Sequence, residues 1–107
     1  MARKLELKTV VLKNGADQPP LTFDYGRVFR QMLEWGGPGG IVFDEVVRSV
    51  EALNPIAAAV EAGKDSVTLS DEQWRPVCDR FRRFPFGGAT QEIVAFGRMI
   101  LDAPEIS

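Results

Sequence analysis

Residues 36–40 read Gly-Gly-Pro-Gly-Gly. No regular element passes through such a run, because four glycines add backbone freedom that ordering must remove and the proline has no N–H to donate. The chain is cut there into segments that build their elements separately. Upstream, Asp24 is placed to cap a helix that continues to Trp35. Tyr25, Val28, Phe29 and Met32 fall on one face of it, with Arg27, Arg30, Gln31 and Glu34 on the other. Downstream, a second helix is predicted over residues 43–53, with Phe43, Val46, Val47 and Val50 as its inward stripe. Asp44 and Glu45 lie in its first turn, where the positive end of the helix dipole favours them. Asn54 and Pro55 then end or kink it, and they also read as a restart, a cap followed by proline at the first helical position. A short third helix over residues 55–62, closed by Gly63, follows from that reading.

The other segments have their own signals. KLELKTVVL, residues 4–12, starts in alternation at Leu5 and Leu7 and continues β-branched, which predicts one strand. Asn14-Gly15 marks a turn, and residues 21–23 return as a short strand. Two prolines in DQPP, residues 17–20, make that hairpin loose and edge-like. SVTL, residues 66–69, reads as a third strand pairing with the first. Ser70 with Gln73 three residues later matches a capping box for a helix over residues 71–83 that turns Trp74, Val77, Cys78 and Phe81 inward. Pro76 predicts a kink there or a later start. Thr90 caps a last helix over residues 91–101, with Ile93, Phe96 and Ile100 inward.

The fold expected is one α+β domain over residues 1–107, a small antiparallel sheet of two or three strands packed against four or five helices. A chain of 107 residues buries roughly two-thirds of its unfolded surface, so one core can form without disulfides or metals. The core expected is Leu7, Phe29, Met32, Val46, Val50, Leu69, Trp74, Val77, Phe81, Ile93, Phe96 and Ile100.

Several function classes are disfavoured by the residue types present. Histidine is absent, which removes the commonest general base and the commonest metal ligand. One cysteine, Cys78, cannot form an internal disulfide, and without histidine it leaves a structural zinc site no ligand set. On the apolar stripe and without a base, Cys78 reads as a buried small residue rather than a nucleophile. Asp44-Glu45 and Asp71-Glu72 sit at helix starts for structural reasons, with no calcium-loop spacing around them. The phosphate-loop reading of residues 36–40 fails because no Lys and Ser or Thr follow and because the run follows a helix. The expectation is a protein with no catalytic residues, no cofactor and no metal. No apolar run approaches membrane-spanning length, and MARKLELK has no apolar segment after its basic residues, so a cytoplasmic protein is expected.

The stretch DRFRRFPFGGAT, residues 79–90, raises nucleic-acid binding. Over residues 71–83, however, four arginines face three acids, and Asp79 lies four residues from both Arg75 and Arg83. A phosphate surface needs unpaired cations, and the net charge of −2 points away from one. The expectation is a solvated, self-paired helix face joined to a packed Phe-Pro-Phe corner, with a helix-turn-helix-like nucleic-acid binder as an alternative. Protein binding fits better, through a candidate interface of Trp35, Phe84, Phe86, Arg80 and Arg83, residue types that interface centres favour.

The order VLKNGADQPPLTFDYGRVFRQML, a glycine break, FDEVVRSVEAL, VTLSDEQW, an RFPF corner and EIVAF resembles small proteins encoded in tailed-phage and prophage genomes. The resemblance implies either an accessory protein that binds a host or phage protein in the host cytoplasm, or a virion or assembly component forming a symmetric oligomer. Pro55 and Pro76 depart from the smoother helices of that group.

Overall fold

The computed structural model describes residues 2–12, 21–87 and 89–106. The expected Asn14-Gly15 turn and the loop over residues 17–20 lie outside the described residues. Five short strands and four helices follow in the order β1 (Ala2–Glu6), β2 (Thr9–Leu12), β3 (Leu21–Asp24), α1 (Tyr25–Glu34), α2 (Phe43–Glu61), β4 (Ser66–Ser70), α3 (Asp71–Arg83), α4 (Gln91–Leu101) and β5 (Glu105–Ile106). The fold class is α+β, as the sequence indicates.

The strand predicted over residues 4–12 is two strands in two different sheets. β1 lies between β4 and β5, antiparallel to both, with Leu5 opposite Val67 and Ala2 opposite Ile106. β2 pairs only with β3, with Val10 opposite Phe23. The chain changes sheets at Leu7 and Lys8, where the Leu7 N–H donates to the Asp65 carbonyl at 2.8 Å and the Lys8 carbonyl accepts from Tyr25 N–H at 3.0 Å. Leu5 and Leu7 are both buried, so the alternation carries the chain across the core before it leaves the first sheet. The unforeseen β5 is fastened by side chains rather than by its own length. Arg3 donates to the Ala103 carbonyl at 2.9 Å, to Glu105 at 2.7 Å and to Asp71 at 3.3 Å, with its guanidinium 4.3 Å from the centre of the Trp74 ring.

The helix ends follow the capping chemistry. Asp24 accepts from the Gly26 N–H at 3.1 Å and Thr90 from the Ile93 N–H at 3.2 Å. The Ser70 box is complete, with Gln73 N–H on Ser70 Oγ at 3.2 Å and Ser70 N–H on Gln73 Oε1 at 3.0 Å. That box starts α3 at Asp71, and the helix continues through Pro76 to Arg83 with no delayed start.

The largest departure from expectation is α2. It is one helix of 19 residues, about 28 Å long, and does not stop at Pro55. A proline at this position takes away the hydrogen bond that the Glu51 carbonyl would accept. Gln73 Nε2 stands 3.5 Å from that carbonyl, so one carboxamide serves the α3 cap with its oxygen and the carbonyl freed by Pro55 with its nitrogen. Gly63, at φ 71°, closes the helix where expected, and Lys64 N–H returns to the Ala59 carbonyl at 3.0 Å.

A continuous helix has a single phase. The buried side of α2 is Ser49, Ala52, Ile56 and Ala59, small residues that let α1 come close. At the α1 crossing, a Cβ on Gly26 would lie 2.7 Å from Val60 Cγ2. The stripe expected inside is therefore turned out: Phe43 is 77% exposed, Val50 46%, Val46 38% and Val47 37%. Val46 and Val50 do not belong to the core.

The rest of the expected core is buried or packed against it. Leu7, Phe29, Met32, Leu69, Val77, Phe96 and Ile100 are buried, and Trp74 and Phe81 are half-buried against them. Ile93 is also half-buried. Phe96 is the hub, its ring meeting Tyr25 at 4.7 Å, Phe29 at 4.9 Å, Phe23 at 5.6 Å and Phe81 at 6.0 Å between centroids. Next to it, a Cβ on Gly97 would stand 2.4 Å from Phe81 Cζ, inside the ring's van der Waals surface.

Gly97→Ala is expected to lower stability in urea titration by about 1 kcal/mol or more, because forcing Phe81 aside outweighs the ~1 kcal/mol helix-propensity gain. Phe81→Leu in the same background should recover part of the loss. Gln73→Glu keeps the cap acceptor and loses the donor to Glu51, and is expected to cost about 0.5 kcal/mol or less, because that contact is long and exposed. In a Pro55→Ala background that cost should shrink, because the new alanine N–H reclaims the carbonyl, and a double-mutant cycle measures the coupling.

A candidate interaction site on the α2 and α3 surfaces

α2 and α3 lie side by side and leave a cleft of about 650 Å³ between them. Glu45, Arg48, Ser49 and Glu51 come to it from α2. Glu72, Arg75, Asp79, Arg80 and Arg83 come from α3. A smaller cleft of about 330 Å³ lies against the glycine connector of residues 36–40 and has Trp35 on its wall. Glu45, Arg80 and Arg83 line both, and so form the partition between them.

The four α3 arginines are not one solvated, self-paired face. Arg83 Nε lies 3.6 Å from Asp79, the i,i+4 pair read from the spacing, and Arg83 Nη1 lies 3.7 Å from Glu45 of α2. Both contacts are long and about half exposed, so each is worth a fraction of a kcal/mol. Arg75 and Arg82 are exposed and make no ion pair among the described residues. Arg80 is 4% exposed, and its Nε and Nη2 are buried with no acceptor among the described residues.

Phe84 and Phe86 continue the core outward. Phe86 meets Phe81 at 5.4 Å, Phe84 meets Phe86 at 5.0 Å, and Trp35 closes on Phe84 edge-to-face at 5.8 Å. The five residues selected from the sequence, Trp35, Phe84, Phe86, Arg80 and Arg83, thus come together. The three rings are a half-buried rim of the core, Arg83 is bridged, and Arg80 is inside.

A run of exposed apolar side chains on α2 was not among them. Phe43, Val46, Val47 and Val50 lie along α2 opposite its core face, with Val42 continuing the patch at the helix start. They were missed because they read as core. The signal that would have found them is the competing stripe of Ser49, Ala52, Ile56 and Ala59, which keeps one phase across Pro55.

Cys78, Asp71 and Glu45 each have a defined surrounding. Burial pushes the Cys78 thiol up to about 11, against the opposing pull of Arg82 and Arg3. Asp71 accepts from Arg3 and Glu45 faces Arg83. Among the described residues no three or more His, Cys, Asp or Glu side chains converge to hold a metal. Among them, too, no helix is long and apolar enough to cross a membrane. Comparison with known proteins finds no matching family model, no matching curated protein and no matching solved structure.

Alkylation of Cys78 by iodoacetamide at pH 8 is expected to run on the order of 100-fold slower in the folded protein than in urea, since the thiolate is scarce and enclosed. The folded-state thiol is raised above its unfolded value of 9.0, so stability is expected to fall as pH climbs from about 9 toward 11. Cys78→Ala should flatten that slope in urea titrations at successive pH values.

Proposed function

We propose that this chain is a non-enzymatic accessory protein of phage or prophage origin that acts in the host cytoplasm by binding another protein. The observation that supports the reading is the outward face of α2. A helix turns Phe43, Val46, Val47 and Val50 to solvent at a spacing that would suit a core. Covering such side chains removes apolar area from water, most of all at Phe43, which is 77% exposed. The half-buried rings Trp35, Phe84 and Phe86 supply a second, stiffer apolar surface. A polyanion surface on α3 would rest on Arg75 and Arg82 alone, since Arg80 is enclosed and Arg83 is bridged.

A second reading rests on the same observation. The α2 stripe carries no charge at Phe43, Val46, Val47 or Val50, so two copies can lay it face to face, as a symmetric assembly component would.

Val47→Asp and Val50→Asp test both. Each side chain is already exposed, so the folded state is expected to change by about 0.5 kcal/mol or less in urea titration. Light scattering is expected to show a monomer or dimer, and the variants should lose proteins that the wild-type chain retains from host lysate. A large oligomer that dissociates in the variants replaces the accessory reading with the assembly one. Retained proteins and mass unchanged by either variant would remove α2 from the function.

A further inference from the structure

An arginine buried without an acceptor is costly, because its charge has left water and gained no partner. Among the described residues Arg80 is in that position, and its two orphaned groups are not scattered. Nε–H and Nη2 form one edge of the guanidinium, the edge that takes the two oxygens of a carboxylate or phosphate in parallel hydrogen bonds. Arg3 shows the opposite outcome in the same chain: its Nε, Nη1 and Nη2 each have an acceptor.

We propose that the Nε and Nη2 edge of Arg80 is the receptor for a carboxylate that enters between α2 and α3. This deepens the protein-binding reading and rests on it for the source of the group, an acidic side chain or chain end of the partner. The charge around the edge favours a single negative charge over a doubly charged phosphate. Arg48, Arg75 and Arg83 line the larger cleft with Arg80, but four carboxylates line it too. Access is through the partition that Arg80 shares with Glu45 and Arg83. That partition is held by the Arg83 and Glu45 contact of 3.7 Å, with both side chains partly exposed, so displacing it costs little.

Thermal unfolding and the Arg80 Nε–H resonance in a nitrogen-correlated NMR spectrum test the site at constant ionic strength. Sodium acetate, against chloride, is expected to raise Tm and to shift the Arg80 resonance saturably. Arg80→Met, which removes the unpaired charge, is expected to raise the ligand-free Tm by about 5 °C or more and to abolish the acetate response. Arg80→Lys keeps the charge without the two-point edge, and should fold and also lose the response. Glu45→Gln should tighten acetate several-fold by removing a competing carboxylate.

A capped Gly-Glu-Gly peptide separates the sources. Tighter binding than acetate places the carboxylate on a protein, and equal binding assigns a free small acid. Inorganic phosphate binding more tightly than acetate overturns the carboxylate assignment. A Tm that falls in both Arg80→Met and Glu45→Gln, with no acetate shift, assigns the edge to Glu45 inside the chain and overturns the site. The α2 variants leave this response intact, so loss of partner binding in Val47→Asp with a normal acetate shift distinguishes failure of one reading from failure of the other.

Discussion

The continuity of α2 through Pro55 is the constraint on which the rest of the molecule turns. Had the helix broken there, each half could have rotated its own apolar stripe inward. Unbroken, it presents Ile56, Ala59 and Ala52 to the core and must turn Phe43, Val46, Val47 and Val50 outward. The same phase lays Glu45, Arg48, Ser49 and Glu51 along α3 and so creates the cleft. The carbonyl that Pro55 leaves open lies within 3.5 Å of the Gln73 carboxamide, which also caps α3. The two helices that bound the cleft are thereby tied at the point where one of them would be weakest.

Around that frame the core is assembled on rings. Phe96 gathers β3, α1 and α3 onto α4 within 4.7 to 6.0 Å, and Gly97 beside it lets Phe81 close the gap. The rings then run outward through Phe86 and Phe84 to Trp35, so the rim of the core is also its apolar surface. Two arginines mark the ends of what a guanidinium does in such a frame. Arg3 uses every nitrogen to join β1 to α3 and β5, which is a structural role. Arg80 lines the cleft with its Nε and Nη2 buried and without an acceptor among the described residues, the edge proposed above as a receptor.

Local chemistry was legible wherever a few neighbouring residues decide the outcome. The caps at Asp24, Ser70 and Thr90, the close of α2 at Gly63 and the α+β class could all be read from the chain, because capping is settled within three or four residues. Arg80, Arg83, Phe84 and Phe86 are neighbours in the chain and stay together, whereas Trp35 joins them only through tertiary packing, 5.8 Å from Phe84. The self-pairing of α3 was legible for Arg83 and Asp79 but not for Arg80, because nothing in a helix's own sequence says which side its neighbours will cover.

What the sequence by itself determined is where the side-chain-capped helices start at Asp24, Ser70 and Thr90, where α2 closes at Gly63, and which residue types are absent. What only the tertiary structure decided is which of two apolar stripes on α2 is hidden, that residues 4–12 divide between two sheets, and that Arg80 ends up enclosed without an acceptor among the described residues. The physical reason is the same in each case. Helix phase, sheet membership and burial are settled by competition between partners distant in the chain, as where Gln73, 22 residues from Glu51, comes within 3.5 Å of the carbonyl that Pro55 leaves open.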